Sequence, residues 1–139
     1  MTIRVLLADS HHRMRESIRA LIDCQAGMEV VGEAENGRTL LQLAGSFKPD
    51  VVVMDISMSD LNCIDATRQM ISDASGIKIL ALSMHSNRQF VNEMIKVGAC
   101  GYLLKDHAFE ELVRAIQTVA DDRIYMCPGI ENSAAPESG

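Results

Sequence analysis

The chain has 139 residues, which is enough for one domain with its own hydrophobic core. Hydrophobic residues make up 47% of the chain and charged residues 23%, a balance typical of soluble globular proteins. The formal net charge of −6 argues against the basic surface with which proteins attract nucleic-acid phosphates, so we expect this chain to bind no nucleic acid by itself.

Short apolar runs alternate with segments of helical periodicity five times along the chain. This pattern predicts βα units wound around a parallel sheet. Strands are predicted at residues 3–8, 28–34, 51–54, 77–82 and 100–104. Helices are predicted after Ser10, after Gly37, through residues 66–71, between a cap at Ser86 or Asn87 and a stop at Gly98, and along the apolar stripe 112–119.

Polar residues follow four of these strands directly: Asp9, Asp55, Ser83 and Lys105. Because the carboxyl ends of parallel strands meet at one edge of an open α/β sheet, we expect the four side chains to converge there. An aspartate accepts a phosphoryl group only when its repulsion of the incoming anion is offset, and a Mg²⁺ ion held by Asp9 and Asp55 would offset it. Lys105 would balance the remaining phosphate charge, and the Ser83 hydroxyl would meet the phosphoryl oxygens. The sequence therefore predicts a phosphoryl-accepting site.

The four cysteines are scattered singly, with no pair at zinc-binding spacing. We expect reduced and mostly packed thiols, including Cys63. The first strand begins at once, without a long apolar segment or a cleavage site before it, so we expect a cytoplasmic protein with no membrane partner. Residues 128–139 lack periodicity and are expected to form a linker or disordered tail behind a domain at residues 1–127.

Four stretches resemble the receiver domain of a two-component response regulator: VLLADS at residues 5–10, PDVVVMD at 49–55, LALS at 80–83 and GACGYLLKD at 98–106. Residues 83–85 and 123–128 are similar in particular to the subfamily that carries a C-terminal helix-turn-helix of the LuxR/NarL type. The resemblance implies a flavodoxin-like α/β fold with strand order 2-1-3-4-5. It also implies a longer parent regulator of transcription, in which a DNA-binding domain follows this chain.

The resemblance also implies roles for individual residues. Asp55 would be the phosphoacceptor for a histidine kinase, Lys105 the phosphate-balancing cation, Ser83 the switch hydroxyl and Tyr102 the switch aromatic. Mg²⁺ would be bound by Asp9, Asp55 and the backbone carbonyl of Ser57. Such a domain switches a surface for homodimerisation or output and is not a turnover enzyme for an external substrate.

The sequence departs from the family pattern at Ser10, where receivers carry a second acid. Ser10 adds no charge, so it would contact Mg²⁺ weakly or through water, and we expect weak binding of the ion. The loop at 58–62 also reads MSDLN, without the usual proline and glycine.

Several alternatives stay open at this point. Ser10 is equally well explained as the N-cap of the first helix. His11 and His12 suggest a transition-metal site, although histidines on a first helical turn usually face solvent. Because Ser10 replaces an acid, the domain is either a phosphoacceptor or a phosphorylation-independent interaction module with the same fold. A flavin or nucleotide site is disfavoured because the loops lack a glycine-rich phosphate cradle.

Overall fold

The computed structural model describes residues 2–58, 60, 62–73, 76–84 and 88–126. The strands are β1 (Ile3–Ala8), β2 (Met28–Ala34), β3 (Val51–Asp55), β4 (Lys78–Ser83), β5 (Gly101–Leu104) and β6 (Tyr125–Met126). The helices are α1 (His12–Asp23), α2 (Gly37–Phe47), α3 (Cys63–Asp73), α4 (Arg88–Lys96) and α5 (Ala108–Ala120). A short 3₁₀ turn, Lys105–His107, joins β5 to α5.

The strands form one parallel sheet in the order β2-β1-β3-β4-β5-β6. This order confirms the predicted flavodoxin-like arrangement and adds a sixth strand at one edge, where Tyr125 pairs with Gly101. Strand β6 cannot be predicted from the sequence pattern, because two residues are too few to show a strand period. The Tyr125 hydroxyl donates a hydrogen bond to the Glu111 carboxylate, which connects β6 to α5.

The core lies on both faces of the sheet, which explains why the strand sequences are nearly continuous apolar runs. All five residues of β3 are buried. Helices cover the sheet through amphipathic faces: α1 buries Ile18 and Ile22, and α5 buries Leu112 and Ile116, each pair one helical turn apart. Each such aliphatic side chain contributes roughly 1.5–3 kcal/mol through burial. None of the described helices is long and apolar enough to cross a membrane.

Two helix ends test the predicted boundaries. Helix α1 begins at His12 and its N-cap is His11, so the interpretation of Ser10 as N-cap is wrong. Gly98 follows α4 with φ +115°, a value that residues with a side chain rarely adopt, and it ends this helix as predicted. The caps proposed at Ser86 and Asn87, the tail 128–139 and the boundary before it lie outside the described residues.

Candidate functional site

Asp9, Asp55 and Lys105 meet at the carboxyl edge of the sheet, as their strand-end positions predict. Ala8 pairs with Met54, so the next residues, Asp9 and Asp55, are at the same level on neighbouring strands. Both aspartates are fully buried, and Lys105 is only 8% exposed. The Nζ atom of Lys105 is 3.2 Å from Oδ2 of Asp9 and 3.2 Å from Oδ2 of Asp55. The pocket therefore contains two carboxylates that share one ammonium group.

The two oxygens of the Asp55 carboxylate have different environments. Oδ1 accepts hydrogen bonds from the Ser57 amide at 3.0 Å and the Ser57 hydroxyl at 2.8 Å. Oδ2 is buried and accepts no hydrogen bond from the described residues, although Lys105 lies close by. Burial acts to raise the pKa of Asp55, but the Ser57 hydrogen bonds and the Lys105 charge outweigh it and leave this pKa below its ordinary value. Asp55 is therefore ionised at neutral pH, and its Oδ2 atom lies against the Lys105 ammonium group.

His11 is exposed, as expected, but its ring also adjoins the two acids of the site. Its side chain is 61% exposed, but Nδ1 is 3.0 Å from Oδ1 of Asp9 and 3.6 Å from Oδ2 of Asp55. The backbone amide of His11 also donates to Oδ1 of Asp9, at 2.8 Å. An aspartate that accepts a hydrogen bond from the amide two residues later is a common turn, and this signal was available in the sequence.

Ser83 and Tyr102 lie on the next two strands, as predicted, and both are buried. Ser83 ends β4 and pairs with Leu104, the residue before Lys105. The Tyr102 ring is fully buried and packs edge-on against Phe90 of α4, with ring centroids 6.5 Å apart. Burial raises the pKa of Tyr102, and the nearby Ser83 side chain opposes this rise. The Tyr102 hydroxyl is buried and has no hydrogen-bond partner among the described residues. The two predicted switch residues therefore lie on neighbouring strands, and the aromatic ring is already inside the domain.

Ser10 is exposed and faces a neighbouring cavity of about 290 Å³. Asp60 lines the same cavity and accepts hydrogen bonds from the amides of Gly37 at 2.9 Å and Arg38 at 3.4 Å. Asp60 lies in the loop after β3. Its carboxylate thus accepts hydrogen bonds from N–H groups at the start of α2 that have no partner within the helix. The sequence pattern does not reveal this contact, because the two segments are 23 residues apart.

Cys63 is a packed residue, as expected. It is 4% exposed, and its thiol donates to the backbone carbonyl of Ile56 at 3.3 Å. Burial, together with the negative charges of Asp55 and Asp60, raises the pKa of Cys63 to about 11. The thiol therefore stays protonated and unreactive at neutral pH.

One group of side chains within the described residues has the spacing of a metal site. Asp9, His11 and Asp55 each offer a ligand atom, and these atoms lie within 4.8 Å of one another. The two buried Oδ2 atoms without hydrogen bonds fit the requirement of Mg²⁺ for oxygen ligands. The role of the Ser57 carbonyl as a further ligand stays a prediction.

A parallel sheet with buried acids and a lysine at its carboxyl edge defines a receiver-type domain, and sequence comparison agrees. The family model for the response regulator receiver domain matches residues 5–117, so the chain belongs to this family. The match confirms the resemblance seen in the sequence. It does not favour the alternative of a phosphorylation-independent module.

Two proteins that are similar in sequence to this chain are named as transcriptional regulatory proteins. It is 42% identical over 118 residues to the uncharacterized transcriptional regulatory protein YxjL of Bacillus subtilis, covering 85% of this chain and 54% of that protein. It is 33% identical over 135 residues to the transcriptional regulatory protein DegU of Brevibacillus brevis, covering 97% and 57%. The chain thus spans little more than half the length of these two relatives.

A solved structure shows the same fold. The crystal structure of a two-component response regulator of the LuxR family from Aurantimonas sp. SI85-9A1 superposes with a TM-score of 0.92 at 34% identity. The alignment covers 99% of this chain and 98% of that one. The expected kinship with the LuxR/NarL subfamily is thereby confirmed.

Proposed function

We propose that this domain accepts a phosphoryl group on Asp55 from the phosphohistidine of a histidine kinase and thereby controls an output that regulates transcription. The observation that carries the proposal is the Asp55 carboxylate itself. It is buried, ionised at neutral pH, and placed between a second acid and a lysine at the edge of the sheet.

The Asp55 carboxylate has two oxygens, so one can contact a metal ion while the other attacks phosphorus. Ser57 holds Oδ1, and Oδ2 lies close to Lys105. The transfer would form an O–P bond at the Asp55 oxygen that the ion leaves free and break the N–P bond of the phosphohistidine, whose ring leaves with the electron pair. Lys105 would then pair with the phosphoryl oxygens, and so hold the group in place.

A divalent cation is expected to assist. Asp9, Asp55 and the Ser57 carbonyl would hold Mg²⁺, which when bound offsets the repulsion between the carboxylates and the phosphoryl group. Ser10 adds no charge to this set. The cysteines within the described part of the chain, Cys24, Cys63 and Cys100, are free thiols, which supports the proposal of a cytoplasmic location.

The output step would use Ser83 and Tyr102. The Ser83 hydroxyl would turn toward the phosphoryl oxygens, and the packing of Tyr102 against Phe90 would carry the change to α4. We propose that this altered surface mediates homodimerisation or contact with a DNA-binding domain of a longer parent protein. The domain would act as a switch and not as a turnover enzyme.

The phosphoacceptor is tested with acetyl phosphate, MgCl₂ and intact-mass spectrometry. Wild type should gain the mass of one phosphoryl group, and Asp55→Asn should gain none. Asp65→Asn is the matched control, because Asp65 is an exposed aspartate in α3. Persistent mass gain in Asp55→Asn would refute the assignment of the site, and no gain in wild type would refute the phosphoacceptor function.

The switch is tested separately by sedimentation with and without the phosphodonor. Ser83→Ala should still gain the phosphoryl mass but lose the change in association that wild type shows. Equal shifts in the two proteins would contradict the role of Ser83.

A further inference from the structure

The ammonium group of Lys105 lies close to three side-chain atoms that could each bind a metal ion. Its Nζ atom is 3.2 Å from Oδ2 of Asp9, 3.2 Å from Oδ2 of Asp55 and 3.3 Å from Nδ1 of His11. One of these atoms is an imidazole nitrogen, on a side chain that the proposed function does not use. The chain thus already arranges two oxygens and one nitrogen around a positive charge.

The distances from the His11 ring nitrogen to the two carboxylates fit direct coordination of a metal ion. Neighbouring ligands of an octahedral ion at 2.0–2.1 Å lie about 3 Å from each other. Nδ1 of His11 is 3.0 Å from Oδ1 of Asp9 and 3.6 Å from Oδ2 of Asp55. Small side-chain rotations would therefore bring one atom from each residue onto a single ion.

The site is also built and accessible. The Oδ2 atoms of Asp9 and Asp55 are fully buried and accept no hydrogen bond from the described residues, so Lys105 balances their charge without satisfying them as acceptors. The His11 amide bond to Asp9 fixes the backbone that carries the imidazole. His11 and Lys105 line an open cavity of about 340 Å³, through which an ion can enter.

We infer that Asp9, His11 and Asp55 form a mixed nitrogen and oxygen site for a divalent transition-metal ion such as Mn²⁺, Co²⁺ or Zn²⁺. Imidazole is a good ligand for Zn²⁺, and Mn²⁺ accepts it beside the carboxylates that it prefers, whereas Mg²⁺ selects oxygen ligands. A bound ion would take over the position of the Lys105 ammonium and release that side chain toward solvent and the phosphoryl group. This site lies in the same pocket as the proposed phosphoacceptor. Binding of the ion does not depend on the proposed function, but the biological use of the ion does.

The position of the His11 ring can also be explained by a hydrogen bond to Asp9 alone, with no role in metal binding. The two explanations differ in what happens when an ion is added. A ligating His11 places its nitrogen directly on the ion, and a hydrogen-bonded His11 does not.

The test compares wild type with His11→Ala and uses His12→Ala as the matched control. His12 is on the same turn and 69% exposed, but its ring pairs with Glu16 and not with the pocket. CoCl₂ and MgCl₂ are titrated by calorimetry without any phosphodonor, and Mn²⁺ is examined by pulsed EPR for a coordinated nitrogen nucleus. Wild type should bind Co²⁺ more tightly than Mg²⁺, and His11→Ala should lose about tenfold or more of its Co²⁺ affinity with little change for Mg²⁺.

A coordinated nitrogen in wild type and in His12→Ala, but not in His11→Ala, would establish the site. No nitrogen signal in wild type, or the same signal in His11→Ala, would overturn the inference. Mg²⁺-supported phosphorylation of Asp55 without a nitrogen signal would refute this inference and leave the proposed function intact. A nitrogen signal without phosphorylation under any ion would refute the proposed function alone.

Discussion

Replacing Lys105 with methionine should destabilise the domain strongly, because it leaves two buried carboxylates without their shared counter-charge. At an effective dielectric constant of about 20, each attraction at 3.2 Å is worth about 5 kcal/mol before desolvation is counted. Desolvation of the ammonium offsets much of this, and removing one partner of a buried ion pair costs about 3–5 kcal/mol net. We therefore expect Lys105→Met to lose about 3–5 kcal/mol of unfolding free energy, a large part of the stability of a typical domain.

The measurement is urea denaturation at pH 7 in metal-free buffer, with the slope m compared between variants. Lys96→Met, an exposed lysine at the end of α4, is the control and should change stability by less than about 1 kcal/mol. Because the loss arises from uncompensated charge, adding Asp55→Asn to Lys105→Met should restore much of it. MgCl₂ should do the same for Lys105→Met alone. A loss no larger than that of the control, or no recovery in the double variant, would refute this reasoning.

Three further predictions address other parts of the chain. Gly98→Ala should lower the free energy of unfolding, measured by urea denaturation, by about 1–3 kcal/mol. The reason is that φ is +115° and the new Cβ would lie 2.4 Å from Cδ1 of Ile71. Gly27→Ala is the control and should not lower it, because there is open space around Gly27. The pKa of Glu33 is lowered because its arginine partners outweigh burial, so its stabilisation is present at neutral pH and is lost as the pH falls below about 4. Glu33→Gln should therefore flatten the acid side of a plot of Tm against pH, and an unchanged plot would contradict this. Ser10→Asp should tighten Mg²⁺ binding by about tenfold, or ~1.4 kcal/mol, in a calorimetric titration, and an unchanged affinity would show that the hydroxyl or its water already suffices.

The sequence alone determined the architecture and the main site residues. Parallel strands buried on both faces must be apolar throughout, so runs such as residues 51–54 are visible without any structure. Since the carboxyl ends of such strands share one edge, the polar residues after them had to meet there, and Asp9, Asp55 and Lys105 do. The first apolar stripe likewise predicted the buried positions Ile18 and Ile22.

The tertiary structure decided which neighbouring side chains complete the site. Ser10 and His11 are adjacent in the sequence, yet Ser10 faces the cavity beside Asp60 and Nδ1 of His11 approaches the acids. This choice depends on the turn in which Asp9 accepts the His11 amide, and on the buried charge of Lys105. Strand periodicity carries no information on either.

Contacts between distant segments were equally beyond the sequence. The two-residue strand β6 forms only because β5 offers it an edge, and its Tyr125 finds a partner on α5. Asp60 bonds to the start of α2 because the loops after β2 and β3 are adjacent in the folded sheet. Such contacts depend on where the packed elements bring their ends, so they are fixed only when the whole domain has folded.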